Sequence, residues 1–477
     1  MTFPHKSMRS LSLLLGLVLA PVVSGQQTIG YGDDIALPTF TPQGADHATV
    51  AVNHYGDAFI AWQGTFSGNV HLVEGMSVPY IGNDTWEGSS LGHLSLGDMS
   101  LQLLSTDETC SKPDVVEMPD GSFCIAWQRI DRSGVVPARL EVCRVQVRDG
   151  AGVLYPTPVI DQSAVGEGHI ADSAVTSGFA GIMVDLVNLE DGTVGAVYAH
   201  ELSSVVDQVT GSTYREYELR FVVIDWNLGP GNPGFISAPT VLVANLPIDN
   251  NAQYPLIGGQ VLPDVVLDDY GNLIVAYEEY WHDGHGGVIG SNNGRIVVNR
   301  YSGYRTGTPL IVNSHTFTNN FRRHQRRPNL ATSRLDNKNS VSLTWIDDEY
   351  VPWKNNTLHS REITYPLSGP PSVQPLHWEN SIWREDTHAT IAHGPNSQRY
   401  TFGARFFGAS VKILVGRSLQ ADMREYPTAV NTAKRPAVQL VEFPAGSGTF
   451  KLFSTYEGSD SGNPQDYEIR FQILRIP

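Results

Sequence analysis

The 477-residue sequence has only three cysteines and few basic residues. With 32 Lys and Arg against 49 Asp and Glu, its formal net charge is −17, which opposes nucleic-acid binding because phosphate contacts need a basic surface. No segment after the N-terminal region reaches the length of uninterrupted apolar residues that a membrane-spanning helix needs, so no membrane span is predicted. A Gly-rich phosphate loop, a Gly-x-Ser-x-Gly motif and metal-binding cysteine pairs are all missing, which leaves nucleotide, serine-hydrolase and zinc-finger functions unsupported.

Residues 1–25 have the pattern of an export signal. Lys6 and Arg9 precede an apolar run from Leu11 to Val23, and the small residues Ser24 and Gly25 follow it. The run is too short to cross a bilayer as a helix. We therefore predict a cleaved signal peptide over 1–25, a single domain over 26–477, and a secreted or extracytoplasmic protein.

The cysteine count is odd for an exported chain. Cys124 and Cys143 fall on two predicted neighbouring antiparallel strands, on either side of a turn at Ser133 and Gly134. A cross-strand disulfide and a pair of buried thiols both fit this placement. Cys110 is then a remaining buried thiol.

Internal repetition is the strongest signal in the sequence. The segment KPDVVEMPDGSFCIAW, from Lys112 to Trp127, reads as an apolar strand, an Asp-Gly turn and a second strand that ends in an aromatic residue. The same hairpin recurs six more times, ending at Trp62, Tyr198, Tyr277, Trp345, Phe406 and Tyr456. A third apolar strand follows each hairpin, and several repeats add a fourth strand marked by Pro-Thr, which suits an outer edge. These repeats predict an all-β fold, a seven-bladed β-propeller of four-stranded antiparallel blades.

The two ends of the chain complement each other. The last repeat stops after its third strand, near Arg475, whereas Pro38 and Thr39 carry the Pro-Thr mark of a fourth strand. We predict that this N-terminal strand completes the last blade and closes the ring, which removes two exposed sheet edges. A tandem array of two-sheet sandwiches is the alternative, but it does not account for the displaced strand.

The pattern P-x-V-x-x-x-x-D-G-x-x-x-x-A-W, from Pro113 to Trp127, resembles a repeat of exported bacterial β-propellers of unassigned activity. It is also distantly similar to sialidase-type (BNR) propellers and to propeller polysaccharide lyases. The resemblance implies the fold rather than an activity, because one fold hosts many functions. The chain departs from the sialidase pattern, since it has no Ser-x-Asp-x-Gly-x-x-Trp box and no clear arginine triad with a nucleophilic Tyr.

The spacing from the turn glycines locates the residue that should begin each inner strand at the channel mouth, which we call the ruler residue. This position holds His47, Lys112, Met183, Leu262, Arg327, His388 and Arg435. Five of the seven can be cationic, so His47, Lys112, Arg327, His388 and Arg435 are predicted to bind an anionic ligand such as a uronate, sulfate or phosphate group. In the alternative interpretation, Asp114, Asp185 and Asp264, two residues further along, pair with these bases and the ring is structural.

Two loops on the same predicted face are rich in acid–base groups. One contains Tyr280, His282 and His285, and the other, before the fifth repeat, contains His324 among several arginines. Together they could supply a general base and neutralise a carboxylate for β-elimination on a uronic acid. Solvated connecting loops are the alternative.

No cofactor is firmly predicted, and neither loop meets a recognised metal-ligand spacing. The acidic residues after second strands are compatible with Ca²⁺ but lack the ordered spacing of a calcium loop; they are Asp347, Asp348, Glu349, Asp460 and Asp466.

The leading functional hypothesis is an exported, non-catalytic binding module that holds an acidic glycan or a protein partner on its channel face. The alternative is a carbohydrate-active enzyme, a lyase or glycosidase acting on an acidic polysaccharide. A structural envelope component is a third hypothesis.

Overall fold

A computed structural model describes most of the chain from residue 27 to residue 476. The described residues are 27–38, 44–67, 70–94, 108–131, 139–162, 184–206, 213–226, 235–244, 257–282, 295–317, 323–332, 340–349, 357–366, 370–373, 377–378, 389–393, 399–407, 410–417, 420–427, 432–459 and 467–476. The predicted signal peptide lies outside them. Within these ranges the secondary structure is β-strand except for one 3-10 turn, Tyr304–Thr306, and no helix is long and apolar enough to cross a membrane.

The first repeat lies in a six-stranded sheet. The strands up to its end are β1 (Gln27–Ile29), β2 (Asp34–Ala36), β3 (Ala45–Val52), β4 (Ala58–Ser67), β5 (Val70–Val78), β6 (Tyr80–Gly82) and β7 (Thr85–His93). Their order in the sheet is β1-β7-β5-β4-β3, with β6 paired to β7, whereas β2 belongs to another sheet.

The second repeat is a four-stranded antiparallel sheet in the order β11-β10-β9-β8. Its strands are β8 (Glu108–Glu117), β9 (Phe123–Asp131), β10 (Arg139–Arg148) and β11 (Leu154–Gln162).

The third and fourth repeats share one nine-stranded sheet. The strands of the third repeat are β12 (Val184–Asn188), β13 (Thr193–Val206), β14 (Thr213–Asp225), β15 (Phe235–Ile236) and β16 (Thr240–Val243). Those of the fourth are β17 (Ile257–Leu267), β18 (Leu273–His282), β19 (Arg295–Ser302) and β20 (Leu310–Phe317). A single parallel pairing, Tyr217 with Gly259, connects β14 to β17 and so joins the two repeats.

Three further sheets contain the remaining strands. The fifth repeat contains β21 (Arg323–Thr332), β22 (Ser340–Glu349), β23 (Thr357–Thr364), β24 (Ser372–Val373) and β25 (His377–Trp378). The sixth contains β26 (Ala389–His393), β27 (Arg399–Phe407), β28 (Ser410–Arg417) and β29 (Gln420–Pro427). The last contains β30 (Thr432–Glu442), β31 (Phe450–Ser459) and β32 (Glu468–Ile476), and β2 pairs with β32 at its edge.

The described strands therefore form six hydrogen-bonded sheets, and the prediction of seven separate blades is wrong in this count. The physical reason is the parallel backbone pairing of β14 with β17, which joins the strands of two repeats into one sheet. All seven predicted hairpins are antiparallel pairs: β3/β4, β8/β9, β12/β13, β17/β18, β21/β22, β26/β27 and β30/β31. Four-stranded antiparallel blades of this kind define a β-propeller.

The inner strands are neighbours in cyclic order. They follow one another as β3, β8, β12, β17, β21, β26 and β30, and β30 again lies beside β3. Among the residues whose side chains are described, apolar clusters fill the spaces between adjacent repeats. Trp62, Trp127 and Tyr198, the aromatic residues of the first three hairpins, belong to these clusters, and each is at most 1 % exposed.

Cys124 and Cys143 are free, buried thiols, so the disulfide interpretation is wrong. In the β9/β10 ladder Cys124 lies opposite Arg144, whereas Cys143 lies opposite Ile125. The one-residue offset directs the two thiols to opposite faces of the sheet. Accordingly, Cys124 packs in the cluster shared with the third repeat, and Cys143 packs in the cluster shared with the first.

Candidate functional site

A β-bulge interrupts the inner strand at the ruler position. The pairing register shifts between Asp46 and Thr49, Ser111 and Asp114, Val261 and Asp264, Arg326 and Asn329, and Lys434 and Ala437. In these five repeats the ruler residues therefore do not open the strands, whereas Met183 and His388 lie outside the described residues. The five lie inside strands that begin further upstream, for example at Ala45 in β3 and at Ile257 in β17.

The backbone at four of these bulges is left-handed. The φ angles are 52° at His47, 51° at Leu262, 54° at Arg327 and 46° at Arg435. A residue other than glycine costs about 1–2 kcal/mol in this region, so the surrounding sheet must hold each of them in place. A bulge also redirects the side chain that it carries. The recurrence at equivalent positions makes the bulge a feature of the repeat.

These bulges surround a central cavity of about 350 Å³. Its walls are contributed by β3, β8, β12, β17, β21 and β30. Three of the five predicted ligand-binding residues, His47, Arg327 and Arg435, line it. The side chain of Lys112 and all of His388 lie outside the described residues, so their part in the site stays a prediction.

An ionic cluster lies on the wall between the last and the first repeat. Arg435 Nη1 donates to Glu457 Oε1 at 2.9 Å and lies 3.5 Å from Asp46 Oδ2. The backbone N–H of His47 donates to the same Glu457 oxygen at 2.8 Å, and its Nδ1 is 3.2 Å from Asp46 Oδ1. Burial opposes ionisation of Asp46, yet the neighbouring His47 and Arg435 lower its pKa to about 2. The bases at this wall are therefore held by carboxylates.

The sequence analysis missed Asp46 and Glu457. Glu457 directly follows the terminal aromatic Tyr456, and Gln63 and Gln128 follow the aromatic residue of the first two repeats. This recurring long polar side chain, buried at all three positions, was an available signal. No comparable pattern marks Asp46.

A row of three carboxyl groups links successive repeats inside the cavity. Asp114 Oδ2 accepts the backbone N–H of Leu186 at 2.8 Å. Asp185 Oδ2 accepts that of Val265 at 2.6 Å, and Asp264 Oδ1 accepts that of Leu330 at 2.9 Å. Each of these aspartates is therefore held by the main chain of the next repeat, whereas their pairing with the ruler bases stays a prediction.

Burial changes the ionisation of this carboxyl row. It raises the pKa of Asp114 to about 6 and that of Asp264 to about 8. The pKa of Asp185 is raised well above its ordinary value by burial and by the nearby Asp264 and Asp114. The interaction of Asp114 with Asp185 opposes the effect of burial on the pKa of Asp114 and adds to it on the pKa of Asp185.

Stability is expected to fall as the pH rises, because the folded-state pKa values of the row exceed those of the unfolded chain. The contribution of the row is complete below about pH 4 and is lost as the pH passes through the range from about 6 to about 8. Asp185→Asn mimics the protonated carboxyl, so it should reduce the loss of unfolding free energy between pH 5 and pH 9 by about 1–3 kcal/mol. Urea denaturation at both pH values measures the loss. Asp149→Asn, in the β10–β11 turn, is the control, and equal pH profiles for the wild type and Asp185→Asn would contradict the expectation.

The predicted catalytic residues are placed only by their backbone. Tyr280 and His282 pair with Gly259 and Ile257 at the start of β17, and His324 lies at the start of β21. Because β17 and β21 are neighbouring inner strands, these three positions lie at the same face of adjacent repeats. Their side chains, and all of His285, lie outside the described residues. Convergence in one pocket stays a prediction.

Metal ligation finds no geometric support in the described ranges, where no group of three or more His, Cys, Asp or Glu is arranged to hold an ion. The side chains of Asp347, Asp348 and Glu349, and all of Asp460 and Asp466, lie outside those ranges. The Ca²⁺ hypothesis for them stays untested.

No family model and no curated protein match the sequence. Among solved structures, a protein of unknown function from Dyadobacter fermentans is 11 % identical with a TM-score of 0.42, covering 95 % of this chain and 100 % of that one. Trypanosoma rangeli sialidase is 11 % identical with a TM-score of 0.42, covering 76 % of this chain and 54 % of the sialidase. The Penicillium chrysogenum alpha-L-arabinanase is 12 % identical with a TM-score of 0.43, covering 76 % of this chain and 92 % of that one.

The chain is a β-propeller, distantly similar to the propellers of sialidases and arabinanases, and it spans about half the length of the sialidase. The fold assignment follows from the strand pairing. At this level of likeness no activity passes from those proteins to this chain.

Proposed function

We propose that the protein is an exported binding module that holds an acidic glycan in its central cavity. The observation that carries this proposal is the convergence of His47, Arg327 and Arg435, from three repeats, on one cavity. Each lies on a left-handed bulge. A strained backbone that carries a charged side chain into a cleft is typical of binding sites.

The carboxyl row does not cancel this attraction at neutral pH. Burial raises the pKa of Asp264 to about 8 and the pKa of Asp185 well above its ordinary value, so the cavity carries less negative charge than its composition suggests. A partly enclosed cavity also strengthens the field of the remaining cations, because protein replaces much of the screening water. A uronate-bearing chain has the negative charge and the hydroxyl groups that this lining would recognise.

Arg327 is the better of the two arginines for a test. Arg435 is bonded to Glu457, which is buried, and removing Arg435 would leave an uncompensated carboxylate.

Arg327→Gln is expected to weaken binding of oligogalacturonate at least about tenfold, because a charge-assisted hydrogen bond is worth about 1.5–3 kcal/mol. Isothermal titration calorimetry measures the dissociation constant. Arg475→Gln is the matched control, since Arg475 is exposed at the end of β32 and lies away from the cavity. If both variants bind the ligand with the same affinity, the cationic residues on the bulges do not contribute to binding.

A lyase or glycosidase acting on an acidic polysaccharide is the second candidate. It is favoured by the end of β18 and the start of β21, which bring the backbones of Tyr280, His282 and His324 to the same face of adjacent repeats. Incubation with acidic polysaccharides, followed by assays for unsaturated ends and reducing sugar, tests it. Product that disappears with His324→Ala supports catalysis, whereas tight binding without product supports the binding module.

We also propose that the N-terminal strand closes the propeller. The antiparallel pairing of β2 with β32 supports the closure, because residues from the two ends of the chain then complete one four-stranded sheet.

A further inference from the structure

The central cavity contains two sets of ionisable groups at regular positions. The basic residues lie on the bulges of β3, β21 and β30, and the carboxyl row of Asp114, Asp185 and Asp264 lies on β8, β12 and β17, which stand between β3 and β21 in the order of inner strands. Both sets face one cavity of about 350 Å³. An anionic ligand that contacts the first set must therefore come close to the second.

The carboxyl row cannot turn away from such a ligand. Each carboxyl is fixed by a backbone N–H of the next repeat at 2.6–2.9 Å, and these backbone groups belong to strands of the cavity wall. Asp114 also accepts the hydroxyl of Thr49, and Asp264 accepts the side-chain amide of Asn329 at 2.6 Å. The only low-cost response of the row to added negative charge is to gain protons.

We propose that the cavity is a proton-linked anion site, in which an acidic ligand binds together with protons on Asp114, Asp185 and Asp264 and is released as the pH rises. This inference rests on the proposed binding function. No covalent step is involved: the ligand keeps its negative charge, and solvent supplies the protons.

The other charged groups at the cavity reinforce this direction or leave it unchanged. His47 gains positive charge as the pH falls, which attracts an anion further. Glu457 and Asp46 are engaged by Arg435, and Glu117 accepts the backbone N–H of His54 at 2.8 Å. Arg327 remains cationic throughout. As the pH rises, the carboxyl row therefore gains negative charge, whereas His47 on its bulge loses positive charge.

Calorimetric titration of the full chain with trigalacturonic acid tests the proposal. Its carboxylates stay ionised above about pH 5, so any proton taken up goes to the protein. Titrations at pH 5.5, 7 and 8.5, each in two buffers of different ionisation enthalpy, give the affinity and the number of protons bound. We expect at least tenfold tighter binding at pH 5.5 than at pH 8.5, with net proton uptake at pH 7.

Asp185→Asn supplies the matched variant, because its amide keeps an oxygen acceptor for Val265 and a donor toward Asp114 while it cannot titrate. It should bind the same probe with a flatter pH profile and a smaller proton uptake, and Asp264→Asn replaces it if it does not fold. Affinity independent of pH, with no proton uptake, overturns the inference but leaves the binding function intact. No binding at any pH overturns the binding function and the inference together. Tighter binding at pH 8.5 in added Ca²⁺ than in EDTA would show that a metal takes the place of the protons, and it would overturn the inference as well.

Discussion

Deletion of residues 31–42 is expected to lower the free energy of unfolding by at least about 3–5 kcal/mol, the cost of leaving a buried ion pair without one partner. The deletion removes Asp34, whose carboxylate accepts Arg470 Nε at 2.8 Å and also accepts the hydroxyl of Tyr456. It removes the backbone donor of Leu37, which bonds the carbonyl of Ile469 at 2.8 Å. The edge of β32 then loses its partner strand.

The same deletion opens an aromatic cage around Lys451. The ammonium lies about 5 Å from the ring centres of Tyr31, Tyr80, Trp86 and Phe443, and its side chain is only 1 % exposed. Its ion pair with Asp84, at 2.5 Å, remains after the deletion. Loss of Tyr31 removes one wall of the cage and admits water to a desolvated cation, which adds about 1 kcal/mol to the cost.

Urea unfolding followed by tryptophan fluorescence measures this prediction. Asp34→Ala should reproduce a large part of the loss, whereas Asp33→Ala should cost little, because the Asp33 carboxylate accepts the nearby Gly30 N–H at an exposed site. A synthetic peptide of residues 27–42 added to the truncated protein should restore part of the stability. An unchanged unfolding midpoint after the deletion would refute the proposal that the N-terminal strand closes the ring.

The hairpins were predictable from sequence because they depend on local chemistry. A strand that alternates or buries apolar residues, a turn glycine and a terminal aromatic recur at fixed spacing, as in the segment that ends at Trp127. The number of sheets was not predictable in the same way. It depends on one backbone pairing between Tyr217 and Gly259, beyond the repeated part of β14 and β17, and backbone pairing leaves no mark in the residue type.

The candidate site was predictable in position and not in its bonding. Counting back from the turn glycines reached His47, Leu262, Arg327 and Arg435, all of which have the left-handed backbone. The partners of the carboxyl row were missed because Asp185, for example, bonds the main chain of Val265, and any residue type offers that N–H. Spacing within a repeat thus located the groups, whereas contacts between repeats decided their charge.

Asp57→Ala is expected to be among the most destabilising single substitutions, at about 3–5 kcal/mol. Asp57 is fully buried and lies on the turn face of the first repeat. Arg148, from the second repeat, donates to both of its oxygens at 2.6 Å, and the backbone N–H of Tyr80 donates at 2.9 Å. Truncation leaves a guanidinium that is only 14 % exposed without its carboxylate.

A second aspartate provides the matched control. Asp191, in the corresponding turn of the third repeat, pairs with Arg305 of the fourth, but both side chains are more than 40 % exposed. Solvent screens this pair, so Asp191→Ala should cost only about 0–1 kcal/mol in the same urea titration.

The double variant Asp57→Ala with Arg148→Met distinguishes two causes of destabilisation, the lost attraction between Asp57 and Arg148 and the burial of an unpaired Arg148 charge. Without the guanidinium no buried cation remains, so the double variant should be more stable than Asp57→Ala by about 1–3 kcal/mol. If the two substitutions instead destabilise additively, the desolvated Arg148 is not the source of the cost. If the double variant regains stability, the ion pair stabilises the contact between the first two repeats mainly because burying either charge without its partner is costly.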